Sequence, residues 1–214
     1  MTNRRTISRI EQSSKQFDGN ECNSIDISAF RTLKSLHLKN IKSGMPMKGL
    51  RQAARTLMSI FCEGSLESPQ QLLTNFLGES GPDLQSRFLG LFVDERKSTN
   101  QSEWSQLMIL GLSRNEIEKI DSIAAASFAP LVNLTRLDLS HNKIAYVADM
   151  SSLIELSMRT FQGGNIKELI IDNNKLTTLE GLERLKGLEL LSVQENMISR
   201  IANVGLIGKI PLHV

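Results

Sequence analysis

His37, His141 and His213 are the residues best suited by type to bind a metal or move a proton, yet they stand singly along the chain with no HExxH or comparable ligand spacing. Cys22 and Cys62 form no CxxC pair. Cys62 alternates with apolar residues in a strand-like pattern, which reads as a buried thiol and not a nucleophile. Neither GxxxxGK[ST] nor GxSxG occurs, and Gly163-Gly164 reads as a turn. His141 sits where a strand exits and reads as a surface residue. No catalytic residue, metal ligand or cofactor site is therefore expected. The residue whose spacing does carry chemistry is asparagine, through a side-chain amide that donates and accepts together.

Asn115, Asn142, Asn174 and Asn196 each close the frame LxxLxLxxNxL. The frame is filled by Leu107, Leu110, Leu112, Asn115 and Ile117, then by Leu134, Leu137, Leu139, Asn142 and Ile144. It recurs as Ile166, Leu169, Ile171, Asn174 and Leu176, and as Leu188, Leu191, Val193, Asn196 and Ile198. Apolar residues alternating about a polar one make a short strand with one buried face. The Asn bends the chain out of that strand and satisfies backbone groups of its own and neighbouring turns. A single repeat cannot bury its own face, so the turns must stack.

The Asn spacings are 27, 32 and 22 residues. In the shortest, Leu179, Leu182, Leu185 and Leu188 recur every third position, as a convex 3₁₀ turn requires. In the longest, Leu153, Leu156 and Met158 suggest a damaged repeat with Phe161 in the Asn place. Upstream, Leu33, Leu36 and Leu38 form a strand with Asn40-Ile41 one residue early. Leu57, Ile60, Cys62 and Ser65 repeat the frame with Ser for Asn. Ser68-Pro69-Gln70-Gln71 reads as a helix start with Ser as cap and Gln as box partner. The fold expected is an α/β leucine-rich-repeat solenoid of six or seven turns, with a curved parallel sheet on the concave face and short helices or 3₁₀ turns on the convex face.

The domain reading assigns 1–26 to a disordered polar N-terminus, 27–78 to degenerate repeats with a helix, and 79–103 to an insertion. Regular repeats occupy 104–203, and 204–214 forms an incomplete end without a capping repeat. The net charge of +2 conceals an asymmetry, because residues 1–60 hold eleven Lys/Arg against four Asp/Glu while the remainder balances at −5. No apolar run reaches the roughly 18 residues of a membrane span, and the sparse cysteines point to the cytoplasm.

Function in such a solenoid lies on the concave face, in the residues between the inward leucines. The central lane reads His37, Gly111, Asp138, Ser157, Ile170 and Ser192, flanked by Ser35, Ile109, Arg136, Glu155, Glu168 and Leu190. Ile109, Arg136, Asp138, Glu168, Ile170 and Leu190 are the candidate partner-binding residues. Apolar residues in an outward lane beside charged ones suit a protein partner and not nucleic acid, the more so as the chain holds one Trp and one Tyr for stacking.

The order of features is itself distinctive: Phe30-Arg31-Thr32-Leu33-Lys34-Ser35-Leu36-His37-Leu38, then Leu57 through Leu66, a helix and insertion, and then the run from Trp104 through Leu110-Gly111-Leu112-Ser113-Arg114-Asn115, Leu137-Asp138-Leu139-Ser140-His141-Asn142 and Leu179-Glu180-Gly181-Leu182. This resembles the N-terminal repeat region of the liver kinase B (serine/threonine kinase)-interacting protein family, related to nischarin, over about residues 27–202. The resemblance implies a cytoplasmic scaffold, partly endosomal or lysosomal, that engages a serine/threonine kinase. It also implies a large C-terminal part that this sequence lacks, so the chain reads as a fragment or an incomplete gene model. The alternatives are a regulatory subunit of a protein phosphatase, because of the compact 22-residue turn, and an adaptor in a ribonucleoprotein particle, because of the basic first sixty residues.

Overall fold

A computed structural model describes residues 7–11, 24–41, 45, 47–69, 71–72, 104–121, 124–125, 128, 131, 133–147, 166–182, 185, 187–199 and 212–213. Each short alternating run forms a strand. In chain order these are β1 (Ile7–Glu11), β2 (Ile25–Asp26), β3 (Ser35–Lys39), β4 (Met47–Lys48), β5 (Ser59–Glu63) and β6 (Ile109–Gly111). They continue as β7 (Lys119–Ile120), β8 (Arg136–Asp138), β9 (Tyr146–Val147), β10 (Glu168–Ile170), β11 (Leu190–Ser192) and β12 (Leu212–His213), and the helix α1 spans Leu50–Ala54. Eight strands pair in the order β1-β3-β5-β6-β8-β10-β11-β12, and β2-β4 and β7-β9 make two small sheets beside them. All pairings are parallel and follow the repeat frame: Leu110, Leu137, Leu169 and Leu191 stand in one register row. Each turn thus returns to start the next strand alongside the last, which makes the chain a leucine-rich-repeat solenoid.

The inward residues make one continuous core. Leu36, Leu38, Ile60, Cys62, Leu110, Leu112, Leu137, Leu139, Leu169, Ile171, Leu191 and Val193 are all buried. Convex arcs close the other side. In the 27-residue turn, backbone bonds from Phe128 N to Ala125 O, Leu131 N to Phe128 O and Leu134 N to Leu131 O step by three residues. The compact turn steps likewise from Leu182 to Leu179, Leu185 to Leu182 and Leu188 to Leu185. A three-residue repeat eclipses its side chains, so every third apolar residue faces the core, as the spacing predicts. Gln71 Oε1 accepts the Glu67 N–H at 2.7 Å and the Ser68 N–H at 3.4 Å, which is the box-partner role read from the sequence.

The Asn ladder is continuous. Asn142 Nδ2 donates to Leu112 O and Leu139 O, both at 2.9 Å, and to Ser140 O at 3.2 Å, while its Oδ1 accepts the Ile117 N–H at 3.2 Å. Asn115, Asn174 and Asn196 repeat this pattern one turn apart. Ser65 holds the vacant rung: its N–H donates to Asn115 Oδ1 at 2.9 Å and its Oγ accepts the Ile41 N–H at 2.8 Å. Before each rung the backbone turns left-handed, at Asn40, Arg114, His141, Asn173 and Glu195, with φ of 53 to 57°. Gly64 fills that place in the Ser65 turn, where a Cβ would overlap Asn40 Oδ1. Asn40 is therefore the turn residue, and Ile41 stands at the rung itself.

Three expectations change. Residues 7–11 and 25–26, read as part of a disordered N-terminus, are strands, because β1 pairs with β3 from Ile7↔Ser35 to Glu11↔Lys39 and thereby meets its backbone bonds. β8 and β10 pair directly as Arg136↔Glu168, Leu137↔Leu169 and Ile170↔Asp138. The outer edge of β11 is not bare, since Leu191↔Leu212 and Ser192↔His213 pair it with β12. Among the described residues the main sheet has eight strands, where six or seven turns were expected. Residues 153–158, Phe161, the insertion 79–103 and Cys22 lie outside the described residues.

Cys62 is fully buried between Ile60 and the Ser65 rung, and burial pushes its thiol from an ordinary 9.0 up to about 12. The folded chain therefore holds a proton that the unfolded chain releases between pH 9.0 and about 12, so stability is unaffected below that window and falls through it. With Cys22 replaced by Ser, the native chain at pH 8 should react with a thiol reagent about a thousandfold more slowly than the same chain in denaturant. Equal rates would place Cys62 outside the core.

Candidate functional site

Because the inward lane is occupied by leucine, the residues between must face the concave side. Ile109, Arg136, Glu168 and Leu190 form one register row across β6, β8, β10 and β11, continued by Ser59 and Ser35 on β5 and β3. Gly111, Asp138, Ile170 and Ser192 form the next row, continued by Phe61 and His37. The six candidate residues are thus brought onto one face. All six are partly exposed, whereas their immediate neighbours Leu110, Leu137, Leu169 and Leu191 are 0 to 1% exposed.

The charged candidates are engaged with each other. Arg136 Nη1 donates to Glu168 Oε2 at 2.7 Å, both side chains being a little over 40% exposed. A half-exposed pair of this kind contributes about 0 to 1 kcal/mol and holds both chains flat across the sheet. Asp138 accepts the Ser140 N–H at 3.0 Å. Along the sheet margin, Lys167 Nζ donates to Glu189 Oε1 at 2.7 Å, and that bond raises the Lys167 ammonium above its ordinary value.

Two residues were not in the lanes read from the sequence. Phe61 stands in the central row between His37 and Gly111; its ring meets the His37 imidazole with centroids 4.5 Å apart, tilted by 34°. The ring edge lies where a Cβ of residue 111 would project, so the glycine in β6 makes room for the aromatic in β5. Met58 and Met108 lie exposed at the start of the same two strands. The other is Asp172, which accepts Ser192 Oγ–H at 2.7 Å and the Gln194 N–H at 2.7 Å. A large aromatic beside a glycine in the next repeat was the signal for Phe61; Asp172 had none, since it lies one residue beyond the inward Ile171.

His37 and His141 sit far from any cluster of ligands: among the described residues no group of three or more His, Cys, Asp or Glu could hold a metal ion. The acidic cleft lined by Glu67, Glu116, Glu118 and Asp121 is neutralised in part, since Lys119 pairs with Asp121 at 3.2 Å and Lys143 with Glu116. Among the described residues no helix is long and apolar enough to cross a membrane.

An uncharacterised leucine-rich-repeat-containing protein of Schizosaccharomyces pombe is 31% identical over 117 residues, covering 48% of this chain and 18% of that protein. The human serine/threonine-protein kinase 11-interacting protein is 26% identical over 182 residues, covering 81% of this chain and 15% of its own length. Among solved structures, an internalin from Listeria monocytogenes matches with a TM-score of 0.47 and 20% identity, covering 87% of this chain and 48% of that one. No family model matches the chain. The chain spans less than a fifth of the length of these curated relatives. The resemblance read from the repeats is met by sequence similarity to a kinase-interacting protein, and by the repeat name of the yeast relative.

Proposed function

We propose that the chain is a non-enzymatic adaptor in the cytoplasm that holds a protein partner on its concave face, and that the partner is a serine/threonine kinase. The observation that carries the docking reading is the placement of Ile109, Ile170 and Leu190, three partly exposed apolar side chains on three strands of one rigid sheet. Apolar anchors on a preformed surface are what interface hot spots require, because little ordering entropy is lost on binding. The kinase reading is supported by the name of the human relative. Asp138, Asp172 and Glu63 on the same face repel phosphate, which disfavours the ribonucleoprotein alternative.

Replacing Ile109, Ile170 and Leu190 together by Ser is expected to abolish capture of the partner while leaving the melting transition nearly in place. Hot-spot truncations cost about 2 kcal/mol or more of binding each, whereas surface substitutions alter stability by about 0.5 kcal/mol. Affinity capture with the wild-type chain should recover a serine/threonine kinase. Recovery of a phosphatase catalytic subunit instead would overturn the kinase assignment, and full capture by the folded triple variant would remove the concave face as the docking surface.

A further inference from the structure

Among the described residues, two carboxylates on the concave face have no paired cation. Arg136 is bound to Glu168, and Lys39 stands opposite Glu63 in the register. Asp138 and Asp172 are oriented by Ser140, Ser192 and Gln194, all neutral donors, and among the described residues no Lys, Arg or His pairs with either. Phe61 lies in the same row as Asp138, with Gly111 between them. Neighbouring strands are about 4.8 Å apart, so Phe61 and Asp138 are roughly 10 Å apart across the sheet, and Asp172 lies one strand further.

The face offers side chains only. Its strands are paired with one another in a sheet that runs unbroken from β1 to β12, so it has no free backbone donors or acceptors to give a segment lying across it. Such a segment must satisfy its own backbone, which a helix does. A helix advances 1.5 Å per residue, so a 10 Å span corresponds to about seven residues, which is also a return to the same helical face.

Taking the concave face as the docking surface, we propose that its occupant is a helix of the partner protein carrying an apolar side chain, with Lys or Arg about seven and eleven residues after it. The apolar side chain packs against Ile109 and the Phe61 ring, which lies over Gly111. The two cations meet Asp138 and Asp172, and the occupied ion pair of Arg136 with Glu168 contributes no net charge between them.

The test uses the full chain and fluorescence anisotropy with three synthetic helical peptides on an Ala/Gln frame. One carries Leu with Lys about seven and eleven residues later, the second has Glu for both Lys, and the third has Ala for Leu. The Leu/Lys peptide should bind saturably and at least about tenfold more tightly than either other. The double variant Asp138→Asn/Asp172→Asn keeps the acceptor oxygens and should erase the preference for Lys over Glu, while Asp138→Lys should reverse it. Equal binding of the Lys and Glu peptides, persistence of the preference in the double Asn variant, or no saturable binding of any peptide overturns the proposal. These outcomes separate it from the docking reading: if the Ile109/Ile170/Leu190→Ser chain loses its natural partner while wild type does not distinguish Lys from Glu peptides, the face docks a protein but not a basic helix.

Discussion

Changing Leu110, Leu139 and Ile171 together to Ser should abolish the cooperative unfolding transition. These side chains are 1, 0 and 0% exposed and belong to three consecutive turns, β6, β8 and β10 with their exits. Truncating one buried Leu or Ile costs about 2 to 5 kcal/mol, and each introduced hydroxyl left without a partner adds about 1 to 3 kcal/mol. The total, about 9 to 24 kcal/mol, equals or exceeds the roughly 5 to 15 kcal/mol that holds a typical domain together. A stacked repeat array has no distant core to compensate, because each turn touches only its neighbours. The comparison with the Ile109/Ile170/Leu190 variant sharpens the result, since Ile109 adjoins Leu110, Ile170 adjoins Ile171 and Leu190 adjoins Leu191. Two positions of each set are thus direct chain neighbours, and the two sets hardly differ in chemistry. Circular dichroism melts should show the outward variant folding and the inward one not. The reverse would mean a register slipped by one residue, which exchanges the two faces.

The inward lane and the ladder were legible because a leucine-rich frame specifies five positions at once. Chance seldom places Leu137, Leu139, Asn142 and Ile144 in order, and their burial follows directly. Ser65 was legible for the same reason, as a hydroxyl that can hold part of the rung. β1 was not, because Ile7-Ser8-Arg9-Ile10-Glu11 alternates too weakly against a polar background; it is defined by pairing with β3, a long-range fact that a local pattern does not contain. Leu153, Leu156 and Met158, whose spacing also fits a strand, lie outside the described residues, and Leu137 stands directly against Leu169.

The candidate site was half visible. Ile109, Ile170 and Leu190 followed from the alternation alone. Mutual engagement did not: nothing in the composition indicates that Arg136 and Glu168, 32 residues apart, meet at 2.7 Å. Nor did the positions of Phe61 and Gly111, which explain each other only once β5 and β6 are neighbours across an intervening stretch of nearly fifty residues. Long insertions hide such pairs, because the strand adjacency that creates them cannot be counted along the chain.

Asn142→Ala should cost about 3 kcal/mol or more, well above the loss expected from an exposed polar residue. The side chain is 8% exposed and makes four bonds, two of them to the preceding turn at Leu112 O and Ile117 N–H and two to its own at Leu139 O and Ser140 O. Alanine leaves these backbone groups in an apolar stack with no water to replace the amide, and each stranded group costs about 1 to 3 kcal/mol before relaxation. It also releases the left-handed backbone at His141, which the rung holds in place. Asn196→Ala should cost less, because Asn196 is partly exposed and its bond to Gln194 O lies at the surface, where water can take over. Asn142→Ser should fall between them: the Ser65 rung shows that a hydroxyl can accept the N–H of the preceding turn, but it has one proton to donate where the amide makes three bonds. Chemical denaturation of the three variants should therefore rank Asn142→Ala below Asn142→Ser, and both below Asn196→Ala. An Asn142→Ala midpoint equal to wild type would mean that packing alone holds the turns together and that the ladder sets their register without stabilising it.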